Sequence, residues 1–178
     1  MRIARAAMAA MAGLALAACV SGALAESDIK PWKGKPTLPL AGPDLEGKAI
    51  DLKAMKGRVL VVNFWATWCE PCREEMPSLE RLRGKLAGKP FDVITVNFGE
   101  SAERVAQFLG KEKVSLPVML DTQKEMAKDW GVGGLPMTFL VDATGRVRYS
   151  AFGERDWSEG RSLALVEKLV AEAPRARR

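Results

Sequence analysis

Strands that alternate with helices and end in a hairpin predict an α/β domain, a mixed central sheet flanked by helices. Three observations carry that expectation. Val59-Leu60-Val61-Val62-Asn63-Phe64-Trp65 is a nearly continuous apolar run, the kind buried on both faces of a sheet. It leads directly into Trp68-Cys69-Glu70-Pro71-Cys72 and a helical pattern with Met76, Leu79, Leu82 and Leu86 on one face. A second apolar run, Phe91–Phe98, repeats the strand signature.

Residues 1–25 read as a leader outside the fold. Arg2 and Arg5 precede an uncharged apolar stretch from Ala6 to Ala18, and Ala23-Leu24-Ala25 is a small-x-small cleavage pattern. The apolar part is too short for a spanning helix. Leu16-Ala17-Ala18-Cys19 offers a competing reading, a bacterial lipobox with leader 1–18 in which Cys19 is the lipidated residue and tethers the protein to a membrane. Either reading implies export, to a periplasmic location in soluble or lipid-anchored form.

Residues 26–36, with Pro31 and Pro36, read as a linker, and 37–174 as one domain. The turn signal Pro43-Asp44-Leu45-Glu46-Gly47-Lys48 separates two short extended pieces, Thr37–Leu40 and Ala49–Leu52. The helix opened by the cysteines extends from Cys69 to Leu86, and Pro77 inside it is expected to kink it. Gly99-Glu100-Ser101 ends the second strand, with Ser101 capping a helix that includes Glu103–Leu109. A strand at Pro117–Leu120, a helix at Gln123–Trp130 and a strand at Thr138–Val141 follow. Asp142-Ala143-Thr144-Gly145 then turns the chain into Val147–Ala151, and Ser158 caps a last helix that runs to Ala171. Residues 175–178 form a basic tail. The net charge of +5 comes without a basic stripe interleaved with aromatics, so the sequence points away from nucleic acid.

Two thiols one turn apart at a strand-to-helix junction suit reversible dithiol–disulfide chemistry. The helix N-terminus stabilises a thiolate at Cys69, and Pro71 falls in the first turn, where its missing N–H costs nothing. Structural zinc needs four Cys or His ligands, whereas the chain has no histidine and only Cys19 besides this pair. A purely structural disulfide across so short a loop would stabilise little. Neither a metal nor a cofactor is called for. A Cu(I) carrier using the two thiols, with Met76 nearby, is the non-enzymatic alternative.

With these motifs the chain resembles the thioredoxin superfamily, and within it the exported branch of ResA, TlpA and the cytochrome c maturation thioredoxins. The resemblance rests on Asn63 to Cys72, on Val96-Asn97-Phe98-Gly99-Glu100, and on Gly131-Val132-Gly133-Gly134-Leu135-Pro136. It implies a thioredoxin fold with an N-terminal β-hairpin in residues 37–52 and a central helix–strand insertion from Ser101 to Asp121. It also implies that Cys69 is the attacking thiol, that Cys72 resolves the mixed disulfide, and that Pro136 is cis and lies against the disulfide. Leu135 would offer its backbone to an extended substrate, with Trp68, Glu70 and Pro71 completing the substrate-binding surface. Met137 departs from the small hydroxyl residue common after that proline.

Ordinary thioredoxins carry an ionisable aspartate where this chain has Asn63. The resemblance assigns the proton-acceptor role to Glu75, three residues past Cys72, whereas by itself Glu75 reads as a solvated acid like Glu74. Carboxylates at Glu70 and Glu75 raise the thiol pKa and favour the disulfide, the poise of a reductant. The implied partners are the haem-binding cysteines of apocytochrome c as substrate, or the copper-site cysteines of a respiratory oxidase, with a membrane thiol transporter as electron donor.

Overall fold

The structure is a computed structural model that describes residues 29–35 and 39–174. The leader, its lipidation candidate Cys19, linker residues 26–28 and 36, the start of the first extended piece at 37–38 and the tail at 175–178 lie outside the described residues. Two short strands and a hairpin open the chain: β1 (Lys30–Pro31), β2 (Ala41–Pro43) and β3 (Ala49–Asp51). Then come β4 (Val59–Trp65), α1 (Glu70–Lys85), β5 (Phe91–Phe98), α2 (Ala102–Glu112), β6 (Val118–Asp121) and α3 (Glu125–Asp129). The chain closes with β7 (Met137–Val141), β8 (Val147–Phe152) and α4 (Gly160–Glu172).

Six strands form one mixed sheet in the order β1-β8-β7-β4-β5-β6, with β4 parallel to β5 and antiparallel to β7. β4 lies inside the sheet, and all seven of its residues are buried, as the apolar run requires. Alternation divides them between two cores. Val59 and Val61 pack with Leu79 and Leu82 of α1 and Val166 and Leu169 of α4. Leu60, Val62 and Phe64 pack on the other face with Phe139, Trp130 and Leu40. The thioredoxin fold follows, and the C-terminal end of β4 delivers the chain to α1, where the thiols lie.

Several expectations need correction. The linker is partly sheet: Lys30 and Pro31 pair with Ser150 and Tyr149, and Ile29 is buried. The hairpin is present, and its first described strand is Ala41–Pro43, with Pro39 and Leu40 of the expected piece lying before it outside any strand. Asp44 Oδ1 accepts from the N–H groups of Glu46 and Lys48, and Gly47 takes a left-handed φ of 82°, so the turn itself sets Pro43 opposite Ala49. The helix expected at Gln123–Trp130 is shorter, Glu125–Asp129. Ser158 does not cap α4, whose N-cap is Glu159. Its hydroxyl donates to Asp156 Oδ1 (2.6 Å) and accepts from Arg81 Nε (3.1 Å), tying the approach to α4 onto α1.

Candidate functional site

β4 ends at Trp65, and Ala66-Thr67-Trp68 turns the chain into α1. Cys69 is the helix N-cap in extended conformation, and its N–H donates to Ala66 O (3.2 Å). Cys69 and Cys72 are joined in a disulfide with Cα atoms 5.3 Å apart. Cys69 is 5% exposed and Cys72 is fully enclosed, so the outer sulfur is the one a partner can reach. Glu70 and Pro71 between them are exposed, and Trp68 stands out at 63% exposure. Trp65, Trp130 and Trp157 are core.

The loop before β7 comes to the same place. The Leu135–Pro136 peptide bond is cis, and Leu135 packs against the apolar cluster that contains both cysteines. Pro136 is buried, and its carbonyl accepts from Gly153 N–H (2.9 Å), so the neighbouring segment that follows β8 holds this loop.

Glu75 is 1% exposed, while Glu74 beside it faces solvent. Asn63 Nδ2 donates to Glu75 Oε1 (2.6 Å), and Trp157 Nε1 donates to Oε2 (3.1 Å). Asn63 Nδ2 also reaches Thr138 Oγ1 (2.9 Å), which joins β4, β7, α1 and the approach to α4 around one carboxyl group. Burial pushes the Glu75 carboxyl up to about 8, and the bonds from Asn63 and Trp157 with the charge of Arg155 only partly offset it. This corrects the expectation of a fixed negative charge there. Below about pH 8 the Glu75 carboxyl holds its proton.

A second buried carboxylate, Glu100, lies on the other side of the motif. Its oxygens accept from the backbone and side chain of Thr67, from Asn97 Nδ2 and from Arg104 Nε. Burial alone would raise its pKa, but the bonds from Thr67, Asn97 and Arg104 outweigh that and hold it below the ordinary value. Sequence reasoning quoted Glu100 within a motif without giving it a role, and it did not reach Trp157, Thr138 or Arg104. A lone acid directly after the strand-ending Gly99 was the one available signal for Glu100. Among the described residues no group of three or more His, Cys, Asp or Glu is placed to hold a metal ion. Nor is any described helix long and apolar enough to cross a membrane.

Such a site, a disulfide across a C-x-x-C pair at a helix start beside a cis-proline loop, defines a redox-type protein of thioredoxin fold. The Redoxin family model matches residues 29–165, and the chain belongs to that family, as a ResA/TlpA-like member of the thioredoxin superfamily. It is 38% identical over 112 residues to a thiol-disulfide oxidoreductase ResA of Bacillus thuringiensis, covering 63% of this chain and 65% of that one. To the ResA of Bacillus subtilis it is 38% identical over 104 residues, 58% of each chain. The match thus spans less than two thirds of these relatives' length. Among solved structures, a thioredoxin-family thiol:disulfide interchange protein from Chlorobium tepidum superposes with a TM-score of 0.63 at 28% identity, covering 83% of this chain and 99% of that one. The thioredoxin domain of a thiol-disulfide oxidoreductase from Bacteroides vulgatus gives 0.65 at 26%, covering 77% and 96%.

Proposed function

We propose that this protein is an exported thiol–disulfide oxidoreductase that donates electrons to protein disulfides. One observation carries the reading. The inner cysteine, Cys72, is sealed from solvent one helical turn from a carboxyl that burial keeps protonated while the disulfide is formed. In the reduced protein the Cys69 thiolate attacks one sulfur of a substrate disulfide. That S–S bond breaks, and the departing sulfur leaves as a thiolate and takes a proton from water. Cys72 then passes its proton, directly or through water, to Glu75 in the minor fraction of molecules in which that raised carboxyl is ionised, and attacks Cys69 Sγ. The intramolecular disulfide forms, the second substrate thiolate leaves, and two electrons have moved to the substrate. The oxidised product therefore carries its proton on Glu75, the state in which a pKa of about 8 places it at neutral pH.

Leu135 and Pro136 supply the backbone beside which an extended substrate lies, and Trp68 and Pro71 form its apolar margin. The leader pattern supports an exported, periplasmic protein, tethered if Cys19 is lipidated. By resemblance, the substrate is the haem-binding cysteine pair of apocytochrome c, and a membrane thiol transporter restores the dithiol. Cys72→Ser expressed in an exporting bacterium tests this, because it halts the reaction at the mixed disulfide. Capture of c-type apocytochromes supports the substrate assignment. Capture of copper-site proteins moves it to oxidase assembly, and failure to form any mixed disulfide overturns the activity. Equilibration with a thiol buffer should place the couple below roughly −200 mV, and a value near −120 mV would reverse the direction of electron flow.

A further inference from the structure

The carboxylate of Glu100 is fully subscribed. Oε1 accepts from Thr67 Oγ1 (2.6 Å) and Arg104 Nε (2.8 Å), and Oε2 accepts from Thr67 N–H (2.7 Å) and Asn97 Nδ2 (2.9 Å). Four donors on two oxygens match the acceptor capacity of an ionised carboxylate, and an amide in its place would turn a donor toward two of them. Arg104 Nε also lies 3.1 Å from Thr67 Oγ1, which closes a three-membered cluster. Thr67 is two residues before Cys69, inside the turn that hands β4 to α1.

Arg104 belongs to α2, the helix of the central insertion, and the same helix reaches the far side of the motif. Glu112 pairs with Arg73, the residue after Cys72, at 2.8 Å. Phe108 packs on Trp65 with ring centroids 5.4 Å apart, and the Arg73 guanidinium lies 5.6 Å from the Phe108 ring centre. α2 therefore holds the chain both before and after the two cysteines. The exposed Arg73–Glu112 pair is the weaker grip, and the buried Glu100 cluster is the stronger.

We propose that Glu100, together with Arg104, is a positioning residue for the thiol pair, clamping the Thr67 turn so that Cys69 Sγ is held at the N-terminus of α1. Thiolate stabilisation by a helix end falls off within a turn, so the sulfur must be kept there by its own loop. Cys69 has no side-chain cap bond to do this, and the preceding residues carry the constraint instead. The inserted helix thereby becomes part of the support for the reactive loop. The inference rests on the redox reading for its biological use, but its test needs no substrate.

Iodoacetamide alkylation of the reduced full chain, followed across pH, reads the Cys69 thiol directly. Glu100→Gln and Thr67→Val should each raise its apparent pKa by about one unit, a roughly tenfold slower alkylation at pH below that value. Thr67→Ser keeps both the hydroxyl and the N–H and should restore the wild-type profile, and Arg104→Ala should fall between. Should Glu100→Gln not fold, Thr67→Val and Arg104→Ala still carry the test, since Thr67 is half-buried and the Arg104 side chain is 62% exposed. Variants that melt earlier but keep the wild-type profile would show that the cluster only stabilises the fold and would overturn the proposal. So would a Thr67→Ser variant as impaired as Thr67→Val. A wild-type protein with a normal Cys69 profile that reduces no disulfide would instead overturn the redox reading and leave this inference standing.

Discussion

Glu75 and Glu100 are the same residue, both nearly sealed from solvent at 1% and 7% exposure, on opposite sides of the thiol pair, yet their proton affinities move in opposite directions. The pocket behind Cys72 gives Glu75 neutral donors, the Asn63 and Trp157 side chains and the Arg155 backbone, with the Arg155 charge acting only at longer range. Glu100 has four donors, two from Thr67 in the turn before Cys69, one from Asn97 of β5 and one from the Arg104 guanidinium of α2 at 2.8 Å. Desolvation disfavours the charged form in both, and the donor set decides which side wins. One group is built to carry a proton and the other to remain an anion.

The largest way to break this contrast is to neutralise each group in turn. At pH 7, Glu100→Gln leaves buried donors without acceptors and should cost about 2–4 kcal/mol of stability, read by urea denaturation. Glu75→Gln replaces a group already neutral and should cost no more than about 1 kcal/mol. Equal losses would mean that the two carboxyls are in the same charge state.

The pH dependence of stability should separate them next. Glu75 is raised from 4.5 to about 8, so the native state binds the extra proton. Its contribution is complete below the unfolded value and is lost as pH rises through about 8. Glu100 is lowered, so its contribution is present above 4.5 and is lost as pH falls through its depressed native value. Denaturation of the oxidised protein should therefore show a decline as pH rises from 4.5 to about 8, absent in Glu75→Gln, and an acid decline reduced in Glu100→Gln. A decline across that window that survives Glu75→Gln would assign the titration to another group.

Smaller still is the kinetic signature. In the reduced protein Glu75 and the thiols titrate as a coupled set, so Glu75→Gln should shift the whole pH profile of thiol reactivity rather than one inflection. Glu74→Gln, on the exposed face one residue away, should leave both that profile and stability unchanged within about 0.5 kcal/mol. A Glu74 variant that behaves like the Glu75 variant would place proton exchange at the surface rather than in the pocket.

Much of this molecule was legible before any coordinates. The β4 run, the thiol pair at a helix start, the α1 stripe of Met76, Leu79, Leu82 and Leu86, the β5 limits and the Ser101 cap all declare themselves within a few residues. They are set by periodicity and by local hydrogen-bonding chemistry, which a linear string preserves. Only the tertiary structure decided the state of the carboxyls. Glu75 looks no different from Glu74 along the chain, and it becomes a proton holder because Trp157, far away in sequence, closes over it together with Asn63 from β4. Glu100 becomes an anchor because Thr67 and Arg104 converge from a turn and an inserted helix. The short strands Lys30–Pro31 and Ala41–Pro43 were missed for a related reason, since three residues or fewer show no period and are defined by the partner that pairs with them. Local pattern determines which elements form, while proton affinity belongs to the surroundings, and those exist only once distant segments have packed.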